Sequence, residues 1–271
     1  MVRDCDVAIV GGGIGGLTLA ASLSLQSTSF LVFEQDSELR EIGAGVAIGG
    51  NATRLLQRVG VDLAKVANVP PALEFRNWSD GELLWSHPIG EWYRQEMGAP
   101  FLTLHRATLQ RLLADAVRAD CIRLNRRLVG TSEEPDGVRL HFEKGDDVVA
   151  GVVAGIDGVN STVRRYVCGD VTPTRSGEIG FRGVIPAQKS QDLPNPAALQ
   201  CWCGPDTHIV CYGVDLGESV NLLAVYRPPN LPEWAARSNR EPATREQALS
   251  IFARTPGIGA SSTWCATSKE T

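Results

Sequence analysis

The chain has 271 residues, 43% of them hydrophobic and 21% charged, with a formal net charge of −5 at pH 7. That composition supports an ordinary globular core, and the negative balance speaks against nucleic acid or an acidic membrane surface as the main partner, because both require a basic face. No apolar run approaches the roughly 18 residues that span a bilayer, so no transmembrane segment is expected, and the start MVRDCDVAIVGGG lacks a secretory signal pattern; a cytoplasmic protein is expected.

In chain order, Val7 to Val10 is a short apolar run closed by three glycines, the pattern of a buried parallel strand. Ile14, Leu17, Ala21 and Leu25 then recur at helical spacing, and FLVFEQ (30–35) reads as a second strand ending in an acid. Asn51 can cap a helix carrying Leu55, Leu56 and Val59. After Pro70-Pro71 the text alternates from Leu73 to Ile89, with Ser79-Asp80-Gly81 as a hairpin turn. Leu109, Leu112, Leu113, Ala116 and Val117 share one helical face. Strands are expected around Val138–Phe142 and Val148–Ala154, followed by a short helix capped by Asn160 or Ser161. Beyond residue 171 the text is β-rich, with strands near Ile179–Ile185, Leu199–Cys203, His208–Val214 and Val220–Tyr226. Interleaving of α/β and β-rich text predicts an α/β fold of two discontinuous domains. The seven cysteines (Cys5, Cys121, Cys168, Cys201, Cys203, Cys211, Cys265) are odd in number and include no CxxC pair, so reduced structural thiols and no metal centre are expected.

Gly11, Gly13 and Gly16 fit G-x-G-x-x-G between a strand and a helix that opens at Ile14. The first glycine turns tightly, the second admits a pyrophosphate to the backbone, and the third lets helix pack on strand, so that the helix N-terminus faces the phosphates. Glu34 ends the next strand, eighteen residues after Gly16, where a carboxylate accepts hydrogen bonds from an adenosine ribose and repels a 2′-phosphate. These residues predict a dinucleotide without separating FAD from NAD.

Three further stretches bear on that choice: LREIGAGVAI (39–48), LHRATLQRLL (104–113) and VAGIDGVNSTVRR (153–165). With the glycine loop, and in this order, they resemble the group A flavin-dependent aromatic hydroxylases, in particular the salicylate-hydroxylase-like branch, from about Cys5 to about Tyr226. The resemblance implies FAD as cofactor, NADH or NADPH as reductant, and a Rossmann-like FAD-binding domain interleaved with a β-rich substrate domain. Residues 1–72 and 101–172 would form the FAD-binding domain, 73–100 and 173–252 the substrate domain, and 253–271 a divergent tail. It further implies that Glu34 binds the ribose of FAD and that Arg40 and the 43–47 loop, with Gly45 and Ala47, lie along the flavin-bearing end. Arg106 would pair with the pyrophosphate or ribityl region, and Asp157 would serve both FAD and the nicotinamide. Read alone, Arg106 could equally be a solvated helix residue and Asp157 a turn-former.

In that family reduced flavin and O2 give a C4a-hydroperoxide that hydroxylates an electron-rich ring, while the protein positions substrate and excludes water. GFRG (180–183) and GPDTHIVCYG (204–213) are similar to substrate-side strands of the family, although Gly213 stands where proline is usual. Arg182 and Tyr212 are therefore candidates for orienting a small aromatic substrate, salicylate-like, phenolic or indolic, with His208 as a base or hydrogen-bond partner. Packing roles within a sheet are the alternative for all three. The family's later GDAAH motif, whose Asp holds the flavin ribose, is absent, and the ending ASSTWCATSKET departs from the pattern. A chain missing its last FAD-domain segment is expected, hence weak FAD affinity, poor stability or dependence on a partner chain. A monomer or weak homodimer is expected. A non-catalytic or vestigial FAD-binding protein is the second reading; an NAD-dependent dehydrogenase is the third, and it lacks a recognisable catalytic set.

Overall fold

The run CDVAIV folds as strand β1 (Cys5–Val10), and the glycines after it release the chain into helix α1 (Ile14–Ser24) and strand β2 (Phe30–Phe33). The computed structural model describes residues 3–39 and 44–230. The chain continues through β3 (Gly45–Ile48), α2 (Gly50–Arg58), β4 (Ala72–Asn77), β5 (Leu83–Pro88), α3 (Glu91–Met97), β6 (Leu102–His105) and α4 (Arg106–Asp115). Next come β7 (Ile122–Arg123), β8 (Leu128–Glu134), β9 (Gly137–Phe142), β10 (Val148–Gly155) and α5 (Thr162–Cys168). The described part closes with β11 (Ile179–Pro186), β12 (Leu199–Cys203), β13 (Thr207–Val214) and β14 (Ser219–Tyr226).

These elements fall into two compact units. The first comprises described residues within 1–42, 55–62 and 107–174 and is built on a sheet of order β7-β2-β1-β10-β9-β8. Its centre is parallel: β1 pairs with β2 and β10, and β2 with β7, whereas β9 and β8 extend it antiparallel. Both faces of β1 are buried, which explains its unbroken apolar run. Ala8 and Val10 join Phe33, Leu140, Phe142 and Ala150 on one side. Ile9 joins Ala20, Ala21, Val32 and Val117 on the other.

The second unit takes residues within 43–54, 63–106 and from 175 onward. It holds a sheet of order β11-β14-β13-β12-β4-β5 and the two-stranded ribbon β3–β6. The sheet is antiparallel except where β12 runs parallel to β4. One face carries Ile185, Trp202, Ile209, Cys211, Val220 and Ala224 in a buried cluster.

These units divide the chain differently from its texture. Residues 44–54, 63–72 and 101–106 group with the β-rich unit, because β3 and β6 pair with each other and Thr103 Oγ1 donates to the Gly213 carbonyl at 2.8 Å. Strands β3, β6, β7 and β8 are absent from the sequence expectation. The first three have four residues or fewer, and β8 (LVGTSEE) is a polar strand at the edge of the sheet, paired among the described residues with β9 alone. The expected cap Asn51 lies inside α2; the Gly49 carbonyl accepts the first helical N–H groups, from Ala52 and Thr53, at 3.0 Å. Of the two candidates before α5, Ser161 is the cap: its hydroxyl accepts from Arg164 N at 2.9 Å. Among the described residues the cysteines are free, with Cys201 and Cys203 sulfurs 3.6 Å apart on one face of β12.

Candidate functional site

The glycine loop assigns a different duty to each glycine. Gly11 has φ +111°, a conformation that side chains oppose, and a Cβ there would collide with the Ile156 carbonyl oxygen. A Cβ at Gly16 would collide with the Gly11 carbonyl oxygen, so the first turn of α1 presses directly on the loop. Gly13 is unlike both. Its φ of −74° suits any residue, and no atom of the described residues lies within 4 Å of where its Cβ would be. Protein packing thus demands two of the glycines, while the third borders open space at the start of α1. That helix has no side-chain cap and no acid in its first turn, so the N–H groups from Ile14 onward have no capping side chain. Bare N–H donors and the positive end of an eleven-residue helix beside open space suit an anion such as a pyrophosphate.

Glu34, directly after β2, does more than the sequence predicts. Its Oε2 accepts from Gly12 N at 2.7 Å and its Oε1 from Asp36 N at 3.0 Å. A carboxylate offers about four acceptor positions, so capacity for a ribose hydroxyl remains after the loop is tied. Gln110 on α4, buried and given no role by sequence reasoning, donates from Nε2 to the Gly12 carbonyl at 3.1 Å. Gly12 is therefore held on both its donor and its acceptor side.

Asp157 lies two residues beyond β10, at the strand's carboxyl end. Its Oδ2 accepts from Thr162 N at 2.6 Å and Val163 N at 3.3 Å, and its Oδ1 accepts from the Ser161 hydroxyl. The carboxylate thus organises the start of α5, a duty compatible with the turn-former alternative. Arg40 lies outside the described residues.

Within the second unit the ribbon β3–β6 carries Gly45, Ala47 and Arg106. Ala47 is exposed on β3, opposite Thr103 in register. Arg106 follows β6 and opens α4, with its N–H donating to the Ala44 carbonyl at 2.9 Å. Gly45 N donates to Asn221 Oδ1 at 2.6 Å. A Cβ on Gly45 would stand 2.7 Å from both the Asn221 side chain and Tyr212 Cε2.

Strand register places Tyr212 opposite Asn221, Val210 opposite Leu223, and Arg182 opposite Leu223 on its other side. Tyr212, Asn221 and Arg182 therefore share one face of the sheet, with Arg182 on the outer strand. Burial pushes the Tyr212 hydroxyl up to about 12, while the Arg182 and Arg106 guanidiniums pull the other way. Two cations act electrostatically on one buried phenol, so three sequence-predicted residues come together here. His208 does not join them. It stands opposite Cys203 on the same face of the sheet, four residues from Tyr212, or roughly 13 Å along a strand. Among the described residues no group of three or more His, Cys, Asp or Glu side chains could hold a metal ion. No helix among them is long and apolar enough to cross a membrane.

Comparison with known proteins adds the context. A family model described as an FAD binding domain matches residues 4–246. Over 225 residues the chain is 36% identical to a 3-amino-4-hydroxybenzoate 2-monooxygenase of Streptomyces cremeus, covering 82% of this chain and 57% of that one. It is 30% identical over 250 residues to a 6-hydroxynicotinate 3-monooxygenase of Bordetella bronchiseptica, covering 91% and 64%. The chain thus spans less than two thirds of the length of these relatives. Among solved structures, a salicylate hydroxylase substrate complex superposes with a TM-score of 0.75 at 25% identity, covering 96% of this chain and 66% of that one. Klebsiella pneumoniae HpxO, complexed with FAD and uric acid, superposes with a TM-score of 0.77 at 20% identity, covering 97% and 66%.

Proposed function

The chain belongs to the FAD binding domain family that includes aromatic-hydroxylating flavoprotein monooxygenases, and we propose that it serves an FAD-dependent monooxygenase acting on a small electron-rich aromatic compound with NADH or NADPH and O2. The structural observation that supports dinucleotide binding is Gly13, a glycine that neither backbone angle nor packing among the described residues requires, at an uncapped helix N-terminus; the FAD binding domain model and the monooxygenase relatives support FAD and hydroxylation. The pyrophosphate of FAD fits there, with the ribose beside Glu34. When bound, the flavin supplies the redox chemistry and the activation of oxygen.

The chain's own residues divide the remaining work. The described residues of the first unit hold the adenosine half of the cofactor through Gly11, Gly13, Ile14, Gly16 and Glu34, with Asp157 contributing beyond its capping duty. Gly45, Ala47, Arg106 and the undescribed Arg40 serve the flavin-bearing half. On the second unit, Arg182 pairs with a carboxylate or phenolate of the substrate. Tyr212 is protonated at neutral pH at its ordinary value of 10.0, and burial raises it further, so it donates a hydrogen bond to a substrate oxygen and does not act as the base. His208, half-buried on the same face, is a second polar group for a more distant part of the ligand or for a proton leaving it. Relatives named for amino-hydroxybenzoate and hydroxynicotinate support an aromatic acid as substrate. The enzyme is expected to be cytoplasmic and a monomer or weak homodimer.

The test is steady-state NAD(P)H oxidation by the FAD-loaded protein against a panel of hydroxybenzoates, hydroxynicotinates and neutral phenols. The expected result is stimulation by aromatic acids, lowered at least about tenfold in Arg182→Ala through loss of a charge-assisted contact, with FAD retention unchanged. Stimulation by none of them would overturn the monooxygenase reading, and equal loss of FAD and activity would return Arg182 to a packing role.

A further inference from the structure

On the reading above, the backbone of β3 serves the flavin-bearing half of the cofactor, which raises the question of what holds that strand. A four-residue strand in a two-stranded ribbon has little stability of its own. Its pairing with β6 gives it one neighbour, opposite Gly45, Val46, Ala47 and Ile48 in register with His105, Leu104, Thr103 and Leu102. The other attachment is a side chain. Asn221, 3% exposed in the middle of β14, projects Oδ1 to accept the Gly45 N–H at 2.6 Å. Asn221 is the register partner of Tyr212, and Gly45 has no room for a Cβ against either of them. Thr103 fastens the second strand of the ribbon in the same way, from a hydroxyl in a fully buried residue to the Gly213 carbonyl, one residue beyond Tyr212.

We propose that Asn221 is a positioning residue that sets the Gly45 backbone, and with it the cofactor-side strand β3, against the Tyr212 face of the sheet. A buried amide at this point is otherwise costly in an apolar strand (SVNLLAVY). Its use is to replace water as the acceptor for a backbone N–H that β6 leaves on its other side. The same bond fixes the Ala44 carbonyl next door, which receives the Arg106 N–H, so Arg106 inherits the register. The absence of a Cβ at Gly45 makes this approach possible, which accounts for the glycine in GAGVAI by contact with this chain itself.

The inference rests on the flavoprotein reading for its consequence, although the contact can be tested without flavin. Amide hydrogen exchange should be measured on the 271-residue chain without FAD, followed by equilibrium titration with FAD, for the wild type and for Asn221→Leu, Asn221→Ala and Asn221→Asp. Exchange at Gly45 is expected to rise at least about tenfold in the Leu and Ala variants, the scale of one lost hydrogen bond. Protection in β12 and β13 should hold, and Asp, which keeps an acceptor oxygen, should restore Gly45. The FAD dissociation constant should rise roughly 5- to 10-fold in the Leu and Ala variants, by the same bond, and recover in Asp. Unchanged exchange at Gly45, a loss spread evenly over the sheet, or unchanged FAD affinity would overturn the inference. A wild type that takes up no FAD would instead overturn the flavoprotein reading, whatever Gly45 does.

Discussion

At Gly13 an added methyl group would meet no atom of the described residues within 4 Å, whereas at Gly11 and Gly16 it would strike backbone carbonyls. Gly13→Ala is therefore expected to fold, losing less than about 1 kcal/mol at the N-cap, yet to weaken FAD binding at least about tenfold by occupying phosphate space. Gly11→Ala should lose roughly 1–3 kcal/mol from backbone strain alone, before any ligand is added. Urea unfolding and FAD titration of both variants check this; equal affinity of Gly13→Ala and the wild type would remove the pyrophosphate from that position. The glycine loop was legible in sequence because its residues lie within six positions of one another. Gln110 and Asn221 were not, because a single polar residue in an apolar stretch carries no mark of its partner. Asn221 bonds a backbone group 176 positions away, and Gln110 one that is 98 away. His208 and Tyr212 show the complementary difficulty: both belong to one quoted stretch, but the extended backbone of β13 keeps them far apart.

Most of the longer elements follow their patterns, since β1 is an unbroken apolar run closed by glycines and α1, β4–β5, α4 and β11 to β14 combine periodicity or alternation with a glycine, proline or charged boundary. The ribbon β3–β6 has neither length nor periodicity; beyond the pairing of its two strands it is tied to Asn68, Gly213 and Asn221 by hydrogen bonds. Strand β4 hides another feature. Glu74 and Arg76 point into the same buried side of the sheet, where Arg76 Nη2 donates to Glu74 Oε2 at 2.7 Å. Asn195 Nδ2 donates to the other carboxylate oxygen at 2.7 Å, and Arg76 Nη1 to the Gly81 carbonyl at 3.0 Å, completing the hairpin turn. Glu74→Leu leaves the guanidinium without its counter-charge and should cost about 3–5 kcal/mol, whereas Glu74→Leu with Arg76→Met should recover most of that. Urea unfolding of the single and double variants decides it; a single variant as stable as wild type would show the pair to be dispensable.

For the whole molecule, acids that burial favours in the protonated form contribute to an alkaline limit. Burial, the largest cause in each case, raises the Cys5 thiol to about 11, Cys201 and Cys211 to about 12, and the Tyr212 hydroxyl to about 12, from ordinary values of 9.0 for thiols and 10.0 for tyrosine. With folded values above unfolded ones, the unfolded chain releases protons first as pH rises. The contribution of these groups is complete below about pH 9 and is lost progressively toward pH 12. The melting temperature should fall steadily above pH 9, and a flat profile to pH 11 would show these groups to be more solvated than their burial indicates. The interleaving of two units was visible as a change of texture along the chain, while their boundaries were not, because they depend on long-range pairing. The expected divergent tail, residues 253–271, lies outside the described residues. The central claim concerns the ligand of the glycine loop, and parallel equilibrium titrations of the purified 271-residue chain with FAD and with NAD+ test it most directly. Saturable binding of FAD at one site per chain, at least about tenfold tighter than NAD+ and abolished by Gly16→Val, is the predicted result; no uptake of FAD, or tighter binding of NAD+, would contradict it.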